Sequence, residues 1–206
     1  MFVTDERITN DELFFQVLEA SLKGGVSIVQ LREKTLNTKR FYERAVAAKS
    51  LCTKHDTPLI INDRIDIALA IDADGVHLGQ KDMPVILARE LLGTQKIIGW
   101  SVSNEEQAAE ANHLEVDYIG LSPLYNTATK TKDLDPALGI EGLQRLKAIS
   151  IKPIVCIGGI DSNNAAEVMQ NGAAGIAVVS AISQANDPEQ ATKQLKEIIW
   201  QAGTKK

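Results

Sequence analysis

The chain has 206 residues and a formal net charge of -5, with 44% hydrophobic and 24% charged residues. That is an ordinary globular mix, long enough for a substantial core, and the acidic balance argues against nucleic acid as the main partner. Two cysteines, Cys52 and Cys156, are too few for a disulfide framework, and His55, His77 and His113 lack the spacing of metal ligands. No signal peptide or membrane-spanning apolar run is read, so a soluble, cytoplasmic protein without membrane partners is expected.

The chain opens on a short apolar strand, 2–5. Asn10 or Asp11 then caps a helix to about Lys23, with Leu13, Phe14, Val17, Leu18 and Leu22 on its apolar face and Gly24-Gly25 as its stop. A second strand, 26–31, ends at Arg32-Glu33-Lys34. A helix over 38–55 turns Phe41, Ala45, Ala48 and Leu51 or Cys52 inward. Strand 58–61 ends at Asn62-Asp63-Arg64, and strand 75–78 runs into Gly79, Gln80, Lys81 and Asp82. Strand 97–100 meets Ser101, and strand 118–121 meets Ser122-Pro123. Strand 153–157 ends at Gly158-Gly159, and strand 175–179 ends at Ser180. Further helices are predicted near 65–71, 84–92, 104–113, 140–149, 163–171 and 187–202. Ser103, Ser162 and Asp187-Pro188 are the expected caps.

Eight strands alternate with eight helices at about 25 residues per unit, which fits a single-domain (β/α)8 TIM barrel spanning 1–206. A doubly wound open sheet is the alternative, but it would more often place its glycine-rich phosphate loop after the first strand. Every apolar run gives way to polar or glycine residues on its C-terminal side. Parallel strands then gather those residues at one end of the barrel, where ligands bind.

The glycines after strand seven and the Val179-Ser180 turn after strand eight match the usual phosphate loops of such barrels. A plain strand-to-helix turn is the bland alternative for Gly158-Gly159. Asp63 and Asp82 follow neighbouring strands, and two carboxylates with water and phosphate oxygens suit Mg²⁺. Asp63 as a helix cap and Asp82 as a helix-start residue are the competing structural readings. Arg32 and Lys34 after strand two, with Lys130 in the irregular stretch 122–138, suggest a second anion such as a metal-bridged diphosphate. Glu33 alternates with those cations and is expected to point elsewhere and pair structurally. The 122–138 stretch is the expected lid.

With these motifs in order, the chain resembles the thiamine-phosphate synthase family along nearly its whole length. The carrying motifs are Gln30-Leu31-Arg32-Glu33-Lys34, Asn62-Asp63-Arg64, Gly75-Val76-His77-Leu78-Gly79-Gln80 with Asp82, and Ile98-Gly99-Trp100-Ser101. Tyr118-Ile119-Gly120, Thr127-Ala128-Thr129-Lys130, Ile157-Gly158-Gly159-Ile160 and the 177–182 segment complete the set. The resemblance implies condensation of 4-amino-2-methyl-5-(diphosphooxymethyl)pyrimidine with a thiazole phosphate, giving thiamine phosphate and pyrophosphate. It implies that Gln30, Leu31, Arg32, Glu33, Lys34, Asn62 and Ser101 contact the pyrimidine diphosphate, and that Asp63 and Asp82 hold Mg²⁺. It also implies that Thr127, Ala128, Thr129, Lys130, Gly159, Val179 and Ser180 contact the thiazole phosphate and pyrophosphate, with Arg32, Lys34, Ser101 and Lys130 carrying catalysis. The family resemblance allows a homodimer.

Two departures stand out. Ser122 replaces the second glycine of a Gly-x-Gly-Pro run, and Asn126 replaces a proline before the Thr-x-Thr-Lys motif. A thiazole tautomerase on the same scaffold, with a histidine where this chain has Ser122, is one alternative reading. A non-catalytic phosphate-binding regulator is another. A sugar-phosphate isomerase barrel fits the glycine loops but leaves the metal and diphosphate groups without a role.

Overall fold

A computed structural model describes residues 1–127 and 136–203. Eight parallel strands follow chain order around one sheet: β1 (Phe2–Val3), β2 (Val29–Leu31), β3 (Leu59–Asn62), β4 (Gly75–Leu78), β5 (Ile97–Val102), β6 (Tyr118–Leu121), β7 (Ile154–Ile157) and β8 (Gly175–Ala177). A parallel bridge between Phe2 and Val178 joins the last strand to the first, and Val3 N–H donates to the Val178 carbonyl at 2.9 Å. The expected (β/α)8 barrel is therefore the fold.

The strands have period 2, and each face has its own composition. Val29, Leu31, Leu59, Ile61, Val76, Leu78, Ile98, Ile119, Leu121, Ile154 and Cys156 face outward and pack beneath the helices. Each fully buried aliphatic side chain contributes about 1.5–3 kcal/mol. The intervening residues face the barrel interior. Register aligns Gln30 with Ile60, Asn62 with His77, His77 with Gly99, Gly99 with Tyr118, and Ser101 with Gly120. Large and small residues alternate there. A Cβ on Gly99 would lie 2.1 Å from Tyr118 Cζ, and one on Gly120 would lie 2.8 Å from His77 Cε1. The missing side chains are the room that Tyr118 and His77 occupy.

The helices are α1 (Asp11–Lys23), α2 (Thr38–Lys54), α3 (Ile65–Ala70), α4 (Val85–Leu92), α5 (Glu105–Ala111), α6 (Gly139–Ile149), α7 (Ala165–Gln170), the short α8 (Ser180–Ser183) and α9 (Pro188–Gly203). Asn10 caps α1 by accepting the Leu13 N–H at 2.9 Å, and Asp11 and Glu12 complement the helix dipole. Phe14, Val17, Leu18 and Leu22 are buried as expected. Leu13 is not: it is 49% exposed, on the flank of that stripe. Cys52 and Cys156 are buried small hydrophobes, and burial pushes both thiols up to about 12.

Two expected caps are corrected. Asn104, not Ser103, caps α5 and accepts the Gln107 N–H, while Gln107 Oε1 reaches back to the Ser103 N–H at 2.8 Å. Before α7, Asn164 Oδ1 accepts the Asp161 N–H and Asp161 accepts the Asn163 N–H, so Ser162 has no capping role and the helix begins at Ala165. The first two strands are shorter than expected. Asp5 leaves the sheet to bind Arg7, and the Val26 N–H bonds back to Ser21 behind α1.

Candidate active site

The polar strand ends do converge at the carboxyl end of the barrel. After β3, Asp63 has φ +63° and donates its N–H to the His77 carbonyl at 2.9 Å. A non-glycine residue in the left-handed region carries a conformational cost, tolerated here because that backbone bond pins it. Asp63 does not cap α3, whose N-cap is Arg64 without a side-chain bond. Its carboxylate instead meets Lys34 Nζ from the end of β2. Asp82 comes from the turn after β4, where its Oδ2 accepts the Gly79 N–H at 2.6 Å. Burial raises the Asp82 carboxyl above its usual range, and its hydrogen-bonding contact with Asp63 adds to that. Two carboxyl groups thus crowd together with one lysine. The donor set is all oxygen, and among the described residues no cluster of three or more His, Cys, Asp or Glu forms a metal cage. Two carboxylates that leave the remaining positions to water and phosphate oxygens fit Mg²⁺ rather than zinc.

Arg32 and Lys34 are held by a residue that sequence reasoning missed. Glu6, just beyond β1, accepts from Arg32 Nη1 at 2.5 Å and from the Lys34 N–H at 2.9 Å. Thr4 Oγ1 accepts the Arg32 N–H at 2.9 Å. Glu33 points away from this cluster, as its alternation predicted. It is buried beneath α2, where its Oε1 pairs with Arg44 Nη1 at 2.7 Å while its Oε2 has no partner among the described residues. Burial holds its carboxyl above the ordinary range, against the pull of Arg44. Leu31 also faces the helices and is fully buried, so only its backbone is available to the strand-end cluster. Gln30 and Asn62 lie on the interior face, both buried.

Ser101, on β5, is joined to two more residues that were not singled out. His77 Nε2 lies 2.8 Å from Ser101 Oγ, and His77 Nδ1 lies 2.8 Å from the Tyr118 hydroxyl. Burial lowers the imidazole to about 4 and raises the phenol, so both are neutral. Gln80 Nε2 donates to the Ser101 carbonyl at 2.6 Å, which fixes the strand end. The sequence did carry a signal for His77: it alternates with outward Val76 and Leu78, so it had to face the interior.

On the opposite side, Gly158 (φ +107°) and Gly159 (φ +62°) form the turn after β7. The turn does more than reverse the chain. A Cβ on Gly159 would fall 2.5 Å from the Asn126 carbonyl oxygen, and Tyr125 N–H donates to the Gly158 carbonyl at 3.0 Å. The segment after β6 therefore lies directly on the glycine turn. Thr127 is half-buried at its end. Residues 128–135 of the expected lid, with Ala128, Thr129 and Lys130 among them, lie outside the described residues. The two ends of that stretch are tied together, with Leu138 N–H on the Pro123 carbonyl and Gly139 N–H on the Leu124 carbonyl. Val179 precedes the four-residue α8, and Ser180 opens it with its side chain exposed. The first N–H groups of a helix have no intrahelical partner. Ser183 Oγ donates to Asp5 Oδ2 at 2.9 Å, anchoring α8 to the end of β1. Burial favours the neutral Asp5 carboxyl, but bonds from Arg7 and Ser183 outweigh it and hold the group below its usual range.

The family model for "Thiamine monophosphate synthase" matches residues 1–182. The thiamine-phosphate synthase of Albidiferax ferrireducens is 49% identical over 197 residues, covering 96% of this chain and 90% of that protein. That of Vibrio campbellii is 49% identical over 180 residues, covering 87% and 88%. Among solved structures, thiamine phosphate pyrophosphorylase from Pyrococcus furiosus superposes with a TM-score of 0.86 at 36% identity, covering 98% of this chain and 95% of that one.

Proposed function

Because the chain belongs to the thiamine monophosphate synthase family, and so is a transferase that forms thiamine phosphate, we propose that the reaction runs at the carboxyl ends of its strands with the residues named above. The substrates are the pyrimidine diphosphate and a thiazole phosphate. The bond from the exocyclic methylene to the diphosphate oxygen breaks, and the thiazole nitrogen forms a new bond to that carbon. The pyrimidine amino group pushes electrons toward the methylene, so departure of pyrophosphate precedes capture by the thiazole. No protein nucleophile is required.

Arg32, Lys34 and Lys130 bind the diphosphate and stabilise charge as it departs. Asp63 and Asp82 would hold Mg²⁺, which when bound neutralises charge on the diphosphate oxygens. Lys34 exchanges its Asp63 partner for the anion. Gln30, Asn62 and Ser101 orient the pyrimidine diphosphate. Thr127, Thr129, Gly159, Val179 and Ser180 hold the thiazole phosphate against the glycine turn and the start of α8. Fixing both substrates in line lowers the barrier by about 7–11 kcal/mol, and water must be excluded or the cation is lost to hydrolysis. The observation that carries this reading is the pairing of Lys34 with Asp63 at the strand ends, with Asp82 held in the next turn by the Gly79 N–H, at the same barrel end as the Gly158-Gly159 turn.

The test incubates purified protein with both substrates and Mg²⁺ and measures thiamine phosphate and pyrophosphate, with an EDTA control. Metal-dependent, equimolar formation of the two products is expected. Formation of neither product, with thiazole phosphate still bound, would defeat the reading.

A further inference from the structure

Ser101 carries one hydroxyl proton, and its direction depends on two residues behind it. The Tyr118 side chain is fixed. Its ring lies over Gly99, where any Cβ would fall 2.3 Å from the phenolic oxygen. Among the described residues, His77 Nδ1 is the one hydrogen-bond partner of that hydroxyl, at 2.8 Å. His77 is fixed in turn over Gly120 and is 9% exposed, with Nε2 2.8 Å from Ser101 Oγ. A neutral imidazole between two hydroxyls has two proton arrangements. If Nδ1 carries the proton, it donates to the phenolic oxygen, and the Tyr118 proton is left buried without an acceptor. Leaving a buried polar group unmet disfavours that arrangement by about 5- to 150-fold. In the other arrangement every buried group is satisfied.

We propose that His77 and Tyr118 are positioning residues that make Ser101 a hydrogen-bond donor to the bound diphosphate, through a chain running from the Tyr118 hydroxyl to His77 Nδ1 and from His77 Nε2–H to Ser101 Oγ. Because Ser101 Oγ accepts from His77, its own proton is free to point out of the interior, toward the strand ends where Asp63, Asp82 and Lys34 gather. A phosphate oxygen is an acceptor without a proton to offer, so a serine held as donor suits it and a serine held as acceptor does not. The chain thus polarises one hydroxyl without any charge in the interior. This assignment rests on the reading that Ser101 contacts the diphosphate.

Nitrogen-15 NMR of histidine-labelled protein reads the tautomer directly, with His77 identified by the signal lost in His77→Gln. A protonated Nε2 and a bare Nδ1 are expected; a protonated Nδ1 overturns the proposal. This measurement needs only folded protein, so it stands even if no thiamine phosphate forms, the result that would defeat the functional reading instead. In the kinetic arm, Tyr118→Phe is expected to lower kcat by about 5- to 10-fold, with KM for the thiazole phosphate unchanged. In a Ser101→Ala background the same substitution is expected to cost nothing further, because Tyr118 acts through Ser101. Equal losses in both backgrounds overturn the positioning role.

Discussion

Replacing Arg44 by methionine isolates a buried ion pair behind the strand-end cations. Arg44 and Glu33 side chains are 3% and 0% exposed and meet at 2.7 Å. The guanidinium also bonds Asp11 and lies 4.4 Å from the Phe14 ring centroid. Glu33 already has one carboxylate oxygen with no partner among the described residues. Arg44→Met keeps much of the apolar stem contact but leaves Glu33 without its cation, at a cost of about 3–5 kcal/mol. For a chain of this length that lowers the thermal midpoint by about 6–20 °C. The variant also acquires a pH dependence of known sign. Burial already raises the folded-state pKa of Glu33, and removing Arg44 raises it further. The folded state then binds more protons than the unfolded state, so the variant is most stable below the unfolded carboxyl pKa and loses stability as pH rises through the folded one. Urea unfolding followed by circular dichroism across that window measures both effects. Adding Glu33→Gln to Arg44→Met should recover most of the loss and flatten the pH profile. A loss below about 1 kcal/mol, the usual worth of an exposed pair, with no pH slope would refute the account of Glu33 as a buried charge that needs Arg44.

Three further outcomes are expected. Asp82→Ala should lower turnover by about 100-fold or more and weaken its Mg²⁺ dependence; a Mg²⁺ titration identical to that of the parent would remove Asp82 from the site. Gly159→Ala forces a side chain into φ +62° and against the Asn126 carbonyl, costing about 1–2 kcal/mol from the dihedral alone. Steady-state kinetics should show a raised KM for the thiazole phosphate, and an unchanged KM and melting point would count against the glycine turn as its seat. Gly99→Ala drives a methyl group into the Tyr118 ring and should destabilise by about 1–3 kcal/mol; an unaltered urea midpoint would contradict the close packing of the interior.

The barrel was legible because period-2 apolar runs and their polar ends are local features of the sequence. Helix ends fell within two residues of their observed positions, and the misread caps, Ser103 and Ser162, each sit beside a longer side chain that reaches further: Asn104 with Gln107, and Asp161 with Asn164. Asp63, Asp82, Arg32 and Lys34 could be grouped because they terminate adjacent strands. Glu6, Arg44 and the His77–Tyr118 pair could not be matched to their partners in advance. Their contacts join residues 11 to 41 positions apart, and only strand register and helix placement decide which atoms meet. Even there His77 was visible as a polar residue on an inward face; what the sequence withheld was the neighbour it would find.

The join between β1 and β8 has a consequence for how the chain is made. Other neighbouring strands pair across short stretches of sequence, but here Met1 meets Ile176 across 175 positions. Such a contact forms only after the seven preceding strands and their helices have been made. Until then β1 has one open edge, and the growing sheet ends in another that moves with each new strand. The last strand to emerge covers both edges at once. Ser183 on Asp5 then clips α8 across the new join, so the placing of α8 and the closure of the cylinder are one event in the life of the molecule.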